Sequence, residues 1–231
     1  MKQLLLDIAP SSPPTLDNFV PGRNRELLQT LAAMLAGKER FVYIWGAAGC
    51  GRSHLLQAVV AAATRNQLNA MYIECDSTDN MDNAFAVASS DVCVAVDDVE
   101  RLSASAQIDL FNLYNCMRDE GHARLLVSGP VAPAQLGLRE DLVTRLGWGL
   151  VYQVHELTDE EKIQAMQSHA ASRGFDLPPE VSDYLLRHGR RDLPSLIATL
   201  DALDRYSLAN QRQITVPLLR ELLHELLRGE S

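Results

Sequence analysis

Residues 46–53 read Gly46-Ala47-Ala48-Gly49-Cys50-Gly51-Arg52-Ser53. This glycine-rich run follows Phe41–Trp45, a short aromatic and β-branched stretch, and precedes Ser53–Thr64, which is filled with Leu, Ala and Val. A buried strand, a glycine loop closed by a basic residue and a hydroxyl, and then a helix form the arrangement that wraps a phosphate. Glycine lets the backbone turn tightly and aim its N–H groups at oxyanions, and the helix adds its positive end. The Ser53 hydroxyl is placed to ligate magnesium, and His54 follows in the same loop-to-helix junction. Lysine is the usual basic residue of such loops. Arg52 keeps the charge on a larger fork that prefers bidentate contacts, so binding is expected to survive and turnover to suffer. The plain alternative is a tight glycine turn that binds nothing.

Val92–Val96 is a buried strand followed by Asp97-Asp98. In open α/β sheets, ligands gather at the C-terminal ends of the strands. Asp97 is therefore the expected magnesium partner, directly or through water, and Asp98 a water-orienting residue. A helix cap explains one of these aspartates more readily than two adjacent ones.

Further strands are expected at Met71–Glu74, Asp91–Val96, Arg124–Ser128 and Leu150–Val154, with helices at Asn24–Ala36 and Gln107–Glu120 between them. Strands that are nearly continuous in apolar residues and alternate with helices imply a parallel sheet covered on both faces. From Thr158 onward the strand signals stop. Thr158-Asp159-Glu160-Glu161 is a capping box, and Pro179, Leu193 and Thr215 mark three further helix starts. The leucine stripe over 218–227 reads as core packing, with a partner helix as the alternative. The expected organisation is a tail over 1–14, an α/β domain over 15–157 and a helical lid over 158–231.

The charge of -9 over 231 residues gives little support to a broad DNA- or membrane-binding surface. The four cysteines have no paired spacing, which argues against a disulfide framework or a zinc site. The N-terminus is a poor signal peptide, and no run approaches a bilayer span. Lys2–Ile8 is short and apolar, and the Pro/Ser-rich residues 10–14 follow it. By composition alone it is a tail or an edge strand.

Together these pieces resemble an AAA+ P-loop module of the bacterial replication-initiator (DnaA) type, with a five-stranded parallel sheet and a small helical lid. Asp17-Asn18-Phe19-Val20-Pro21-Gly22 resembles the segment that helps hold adenine, which implies roles for Phe19, Val20 and Pro21. Thr144-Arg145-Leu146-Gly147-Trp148-Gly149-Leu150 resembles the initiator's Ser-Arg-Phe-x-Trp-Gly-Leu stretch. With the chain ending soon after the lid, it is similar to the Hda family, regulatory inactivators of the initiator.

That resemblance implies bound ADP (or ATP) with Mg2+, and two partners: DnaA and the DNA polymerase III β sliding clamp. It also makes a homo-dimer or larger homo-oligomer plausible, and implies a cytoplasmic location near the nucleoid and replisome. Gln3-Leu4-Leu5-Leu6-Asp7-Ile8 matches the family's clamp motif, with Gln3 as polar anchor and Leu4, Leu6 and Ile8 as apolar inserts. Arg145 matches the finger offered to a neighbour's nucleotide; a surface salt bridge is its plain alternative. The chain also departs from the family pattern. Pro130 stands at the sensor 1 position, with Ser128 as a candidate substitute, and Pro194 stands where a sensor 2 arginine is expected. Arg190 or Arg191 either reaches the phosphates from one turn earlier or belongs to a solvated cluster. The implied activity is stimulation of the initiator's ATP hydrolysis, with weak turnover of the chain's own. An autonomous ATPase related to helicase loaders is the alternative.

Overall fold

The computed structural model describes residues 13–75, 92–189 and 192–229. It divides into two compact units, one of Pro14–Glu156 and one holding the chain from Leu157 onward.

In the first unit β1 (Phe41–Trp45), β2 (Asn69–Glu74), β3 (Val92–Asp97), β4 (Arg124–Gly129) and β5 (Leu150–Gln153) form a sheet in the order β2-β3-β4-β1-β5. All four pairings are parallel, with Tyr43 opposite both Val127 and Val151. Every residue of β3 is buried, which is why its sequence is continuously apolar up to Asp97. Strand β4 lies between β1 and β3. The order thus brings the C-terminal ends of β1, β4 and β3 side by side, at the place where the strand order reverses.

Helices cover both faces. On one, α1 (Arg25–Leu35) and α2 (Arg52–Arg65) bury Leu27, Leu31, Met34, Leu55, Leu56 and Val59 against the sheet. On the other, α3 (Ala104–Glu120) and α4 (Glu140–Leu146) bury Leu110, Tyr114, Met117, Leu142 and Leu146. Each such leucine contributes about 1.5–3 kcal/mol relative to exposure. Helix α3 starts at Ala104, ahead of the expected Gln107, because the Ser103 hydroxyl caps it by accepting from Ala106 N at 3.2 Å. Helix α4 was not among the expected elements. Seven residues carry too little periodicity, although Glu140 and Asp141 at its start and Arg145 in its last turn suit the helix dipole.

The second unit is helical: α5 (Asp159–Arg173), α6 (Pro179–His188), α7 (Leu193–Asn210) and α8 (Val216–Gly229). The Thr158–Glu161 capping box is formed in both directions, at 3.2 and 2.8 Å. Leu218, Leu219 and Leu222 of the leucine stripe are buried with Met166, Val181, Leu185, Leu200 and Leu203, so this part of the stripe is core. His169 of α5 bonds Asp201 of α7 at 2.7 Å, and Arg173 pairs with Asp204 at 3.2 Å. Among the described residues, no helix is long and apolar enough to cross a membrane.

Candidate functional site

The loop after β1 owes its shape to glycine. Gly49 and Gly51 have φ of 81° and 103°, a region that side chains with Cβ rarely adopt. A Cβ on Gly51 would also lie 2.8 Å from the Phe19 ring, and one on Gly46 would lie 2.6 Å from the Val154 carbonyl. Cys50 N closes a turn onto the Ala47 carbonyl at 3.2 Å, while Ala47, Ala48 and Gly49 face solvent. Burial pushes the Cys50 thiol up, away from reactive thiolate character. Gly51 is the N-cap of α2 and has no side chain to cap it. The N-cap itself therefore leaves the first N–H groups of that helix open toward the loop, and the Arg52 N–H lies against the Cys50 thiol. Exposed Ser53 and half-buried His54 lie in this first turn.

The segment before α1 closes over this loop. Thr15 N donates to Asn18 Oδ1 at 2.9 Å, and Asn18 N to Thr15 Oγ1 at 3.1 Å. Phe19 packs against the His54 ring with centroids 5.5 Å apart, and His54 Nε2 lies 3.0 Å from the Thr15 carbonyl. The carbonyl of exposed Pro21 accepts from Asn24 N at 2.7 Å, and Val20 is half-buried. The buried Asn24 amide then exchanges hydrogen bonds with the His155 backbone at 2.9 and 2.8 Å. Phe19, the loop glycines and His54 are thus in one place, next to the strand end at Val154.

Across from the loop, Asp97 is 2% exposed. One of its oxygens accepts from the Tyr72 hydroxyl at 2.8 Å, and the other from the Ser128 hydroxyl. Burial, with the Asp97 hydrogen bond adding to it, pushes the Tyr72 phenol above its ordinary value. With both oxygens engaged inside the protein, a water-mediated metal contact fits Asp97 better than direct ligation. Asp98 N donates to Ser128 Oγ at 3.1 Å. Ser128 therefore links the two aspartates. Pro130 follows the end of β4 and offers no side-chain hydrogen bond.

Asp98 holds a left-handed conformation, φ 54° and ψ 53°, at the start of a short 3-10 turn over Val99–Arg101. Its carboxylate lies 3.1 Å from Arg52 Nη2 and 3.6 Å from Arg101 Nη2. Its carboxylate thus faces two guanidinium groups. Burial raises the neighbouring Glu100 carboxyl above its ordinary value, with Asp98 adding repulsion, and Glu100 Oε2 is buried without a hydrogen-bond partner among the described residues. Arg52 Nη1 is likewise buried without an acceptor among the described residues. An uncapped helix start, a cradle that Cβ atoms would fill and an orphaned guanidinium nitrogen are a chemical fit to a phosphate group.

Arg145 occupies the last turn of α4. Its guanidinium carbon lies 3.9 Å from the centroid of the Trp148 ring and 5.5 Å from that of Phe111. Trp148 is 57% exposed, and Arg145 Nε is buried with no hydrogen-bond partner among the described residues. Among the described residues the side chain is held by aromatic faces rather than by a carboxylate. Nearby Arg139 pairs with Asp141 at 2.7 Å.

Tyr72, Arg101 and Phe111 complete these arrangements and were not singled out from the sequence. Tyr72 sits in a strand with ordinary β composition, and the approach of Arg101 depends on the left-handed turn at Asp98. Gln3, Leu4, Leu6 and Ile8, and Arg190 and Arg191, lie outside the described residues. Among the described residues no group of three His, Cys, Asp or Glu side chains is placed to hold a metal.

The structure is similar to domain III of the Thermotoga maritima replication initiation protein DnaA, with a TM-score of 0.74, 22% identity and coverage of 93% of this chain and 97% of that one. It is also similar to AMPPCP-bound DnaA from Aquifex aeolicus, with a TM-score of 0.71 and 24% identity over 84% of this chain, and it spans 65% of that protein's length. A Thermotoga maritima RuvB variant matches at a TM-score of 0.69 and 16% identity, over 93% of this chain and 72% of that one. At these identities the likeness speaks for the fold, a parallel sheet of the AAA+ type. A family model of the Hda lid domain matches residues 159–223. The model of the bacterial DnaA ATPase domain matches residues 12–153, more than half of the chain, so the chain belongs to the DnaA-related AAA+ family, with a lid like that of Hda.

Proposed function

We propose that this protein regulates the initiation of DNA replication, by docking on the DNA-loaded sliding clamp and stimulating ATP hydrolysis by DnaA in trans. Arg145 carries this reading. It is positioned by Trp148 and Phe111, and it has a buried Nε with no acceptor among the described residues. A guanidinium presented in this way neutralises charge developing on a transferring phosphoryl group. Stacking fixes its direction without cancelling its charge. The effect on the cell is to remove the ATP form of the initiator and so prevent re-initiation.

The chain's own loop holds ADP, or ATP, with Mg2+. Gly46, Gly49 and Gly51 give the backbone its curve, the first turn of α2 and Arg52 meet the phosphates, and Phe19 with His54 forms the apolar wall nearest the base. The bound nucleotide supplies negative charge and metal ligands to a site whose protein groups bind and orient it. That DnaA from Aquifex aeolicus is described with AMPPCP supports the adenine assignment. Ser53 and Asp97 are the residues that would hold a magnesium ion, which would neutralise phosphate charge there. Asp98 contributes little to turnover because its carboxylate is tied to Arg52 and Arg101. This weighs against the alternative of an autonomous ATPase. Gln3, Leu4, Leu6 and Ile8 contact the clamp, the chain makes no strong direct DNA contact, and it works in the cytoplasm near the nucleoid.

The test is a reconstituted reaction with clamp-loaded DNA and ATP-bound DnaA. It compares the intact chain, Arg145→Ala and a deletion of residues 1–8. Both variants fail to accelerate hydrolysis, while Arg145→Ala still binds the clamp and the deletion does not. Full acceleration by Arg145→Ala would overturn this function.

A further inference from the structure

We propose that Arg118 is a positioning residue that holds the Trp148 ring against Arg145. The inference rests on reading Arg145 as a finger offered in trans, and it names the group that keeps that finger aimed.

The turn that carries Trp148 is fixed along its backbone. Trp148 N donates to the Arg145 carbonyl at 3.1 Å. A Cβ on Gly149 would lie 2.3 Å from the Phe41 carbonyl oxygen, so that residue is pressed against the start of β1. The indole ring has no such packing, because it is 57% exposed. Among the described residues two guanidinium groups approach it, Arg145 at 3.9 Å from the ring centroid and Arg118 at 5.9 Å. Both lie within reach of a cation–π contact.

Arg118 comes from α3, seven residues after Phe111. That spacing puts both on one face of the helix. Phe111 lies 5.5 Å from the Arg145 guanidinium, so one face of α3 meets both members of the Arg145–Trp148 pair. The Tyr114 phenol senses the same corner: burial pushes it up, and the charges of Arg145, Arg118 and Arg40 pull against that shift. Asp119 does not withdraw Arg118 from this arrangement. Their contact is 3.1 Å at Nε, with the two side chains 42% and 68% exposed. An ion pair so open to water holds weakly, and it leaves the planar face of the guanidinium for the indole.

An exposed ring on a glycine-flanked turn is free to rotate about its side-chain bonds, and a guanidinium stacked on it follows. A second cation anchored on a neighbouring helix limits that rotation. Aim matters at a finger, because the benefit to a transferring phosphoryl group falls steeply with misplacement.

The experiment labels the full chain with fluorotryptophan. Its two tryptophans give two fluorine NMR resonances, and Trp148→Ala identifies the one from Trp148. Arg118→Gln moves that resonance and enlarges its solvent isotope shift. In the reconstituted reaction on clamp-loaded DNA, the same variant lowers the acceleration of DnaA-bound ATP hydrolysis about threefold, the scale of one exposed cation–π contact. Arg118→Lys keeps a cation at the ring and restores most of both readouts. On the Trp148→Ala background Arg118→Gln costs nothing further, because Arg118 acts through that ring. Arg118→Met keeps the stem without the charge and repeats the test if Arg118→Gln does not fold. An unmoved Trp148 resonance overturns the inference. So does a loss of acceleration that persists without Trp148, a moved resonance with acceleration intact, or a lysine that restores neither readout. The spectrum is read on this chain alone. Full acceleration by Arg145→Ala therefore overturns the finger reading, while the resonance still decides whether Arg118 holds the ring.

Discussion

Arg52 and Arg145 are both half-buried, and each carries a guanidinium nitrogen with no hydrogen-bond partner among the described residues. They differ in what holds them. Arg52 is tied to the Asp98 carboxylate at 3.1 Å, and Arg145 lies 3.9 Å from the centroid of the Trp148 ring. A carboxylate balances a guanidinium within the chain. An aromatic face orients it and leaves the full positive charge for an anion from elsewhere. On the proposed function, one region holds a ligand and the other lends a charge outward.

The strongest way to break this contrast is to remove each arginine in turn. Arg145→Ala lowers the acceleration of DnaA-bound ATP hydrolysis by about 10³-fold, the scale of a lost arginine finger. Arg52→Ala instead weakens nucleotide binding to the chain itself. Single-turnover phosphate release and equilibrium binding read the two effects separately, and identical profiles would erase the distinction.

Gly51→Ala tests whether the loop region is as tightly built as its geometry says. It combines φ of 103° with a Cβ placed 2.8 Å from Phe19. The strain costs about 1–3 kcal/mol, which lowers the thermal midpoint by several degrees, on the order of 5 °C, and spoils nucleotide binding. An unchanged melt by circular dichroism would show that the loop relaxes freely.

Trp148→Ala sharpens the other side. The ring is 57% exposed, so the fold is retained, but Arg145 loses its stacking partner. A loss of about 1 kcal/mol of orientation reduces the acceleration by roughly five- to tenfold. Retention of full acceleration would mean that Phe111 alone positions the finger.

The smallest effect is a pH dependence at Glu100. Burial raises its carboxyl in the folded state, so the folded chain holds that proton more tightly than the unfolded one. The resulting stability is present below the unfolded pKa and is lost as pH rises through the raised folded value. Glu100→Gln keeps the shape without the charge. Its stability advantage over the parent therefore widens in denaturant titrations as pH rises from the ordinary carboxylate range through the raised folded value. A constant difference would show that Glu100 titrates normally.

Much of the loop region was legible because its chemistry is local. Glycines, a basic residue and Ser53 stand consecutively between a strand and a helix, and the parallel sheet follows from apolar runs such as Val92–Val96. The ties of the two arginines were less visible. Asp98 meets Arg52 only because β3 and β1 end close together with β4 between them, and because Asp98 turns left-handed. Arg145 could be singled out only because residues 144–150 resemble the initiator's Ser-Arg-Phe-x-Trp-Gly-Leu stretch. Its helix could not, since Glu140–Leu146 makes barely two turns. Phe111 joins it from α3, far along the chain, and no spacing rule reports that approach.

The most direct measurement places ATP on one chain at a time. DnaA is loaded with γ-labelled ATP, this protein with ADP, and phosphate release is followed in a single turnover on clamp-bound DNA. The predicted result is fast release from DnaA that depends on Arg145, and almost none when the labelled ATP is held by this protein alone. Fast release from this protein alone, with none added to the DnaA reaction, would contradict a guanidinium acting across chains.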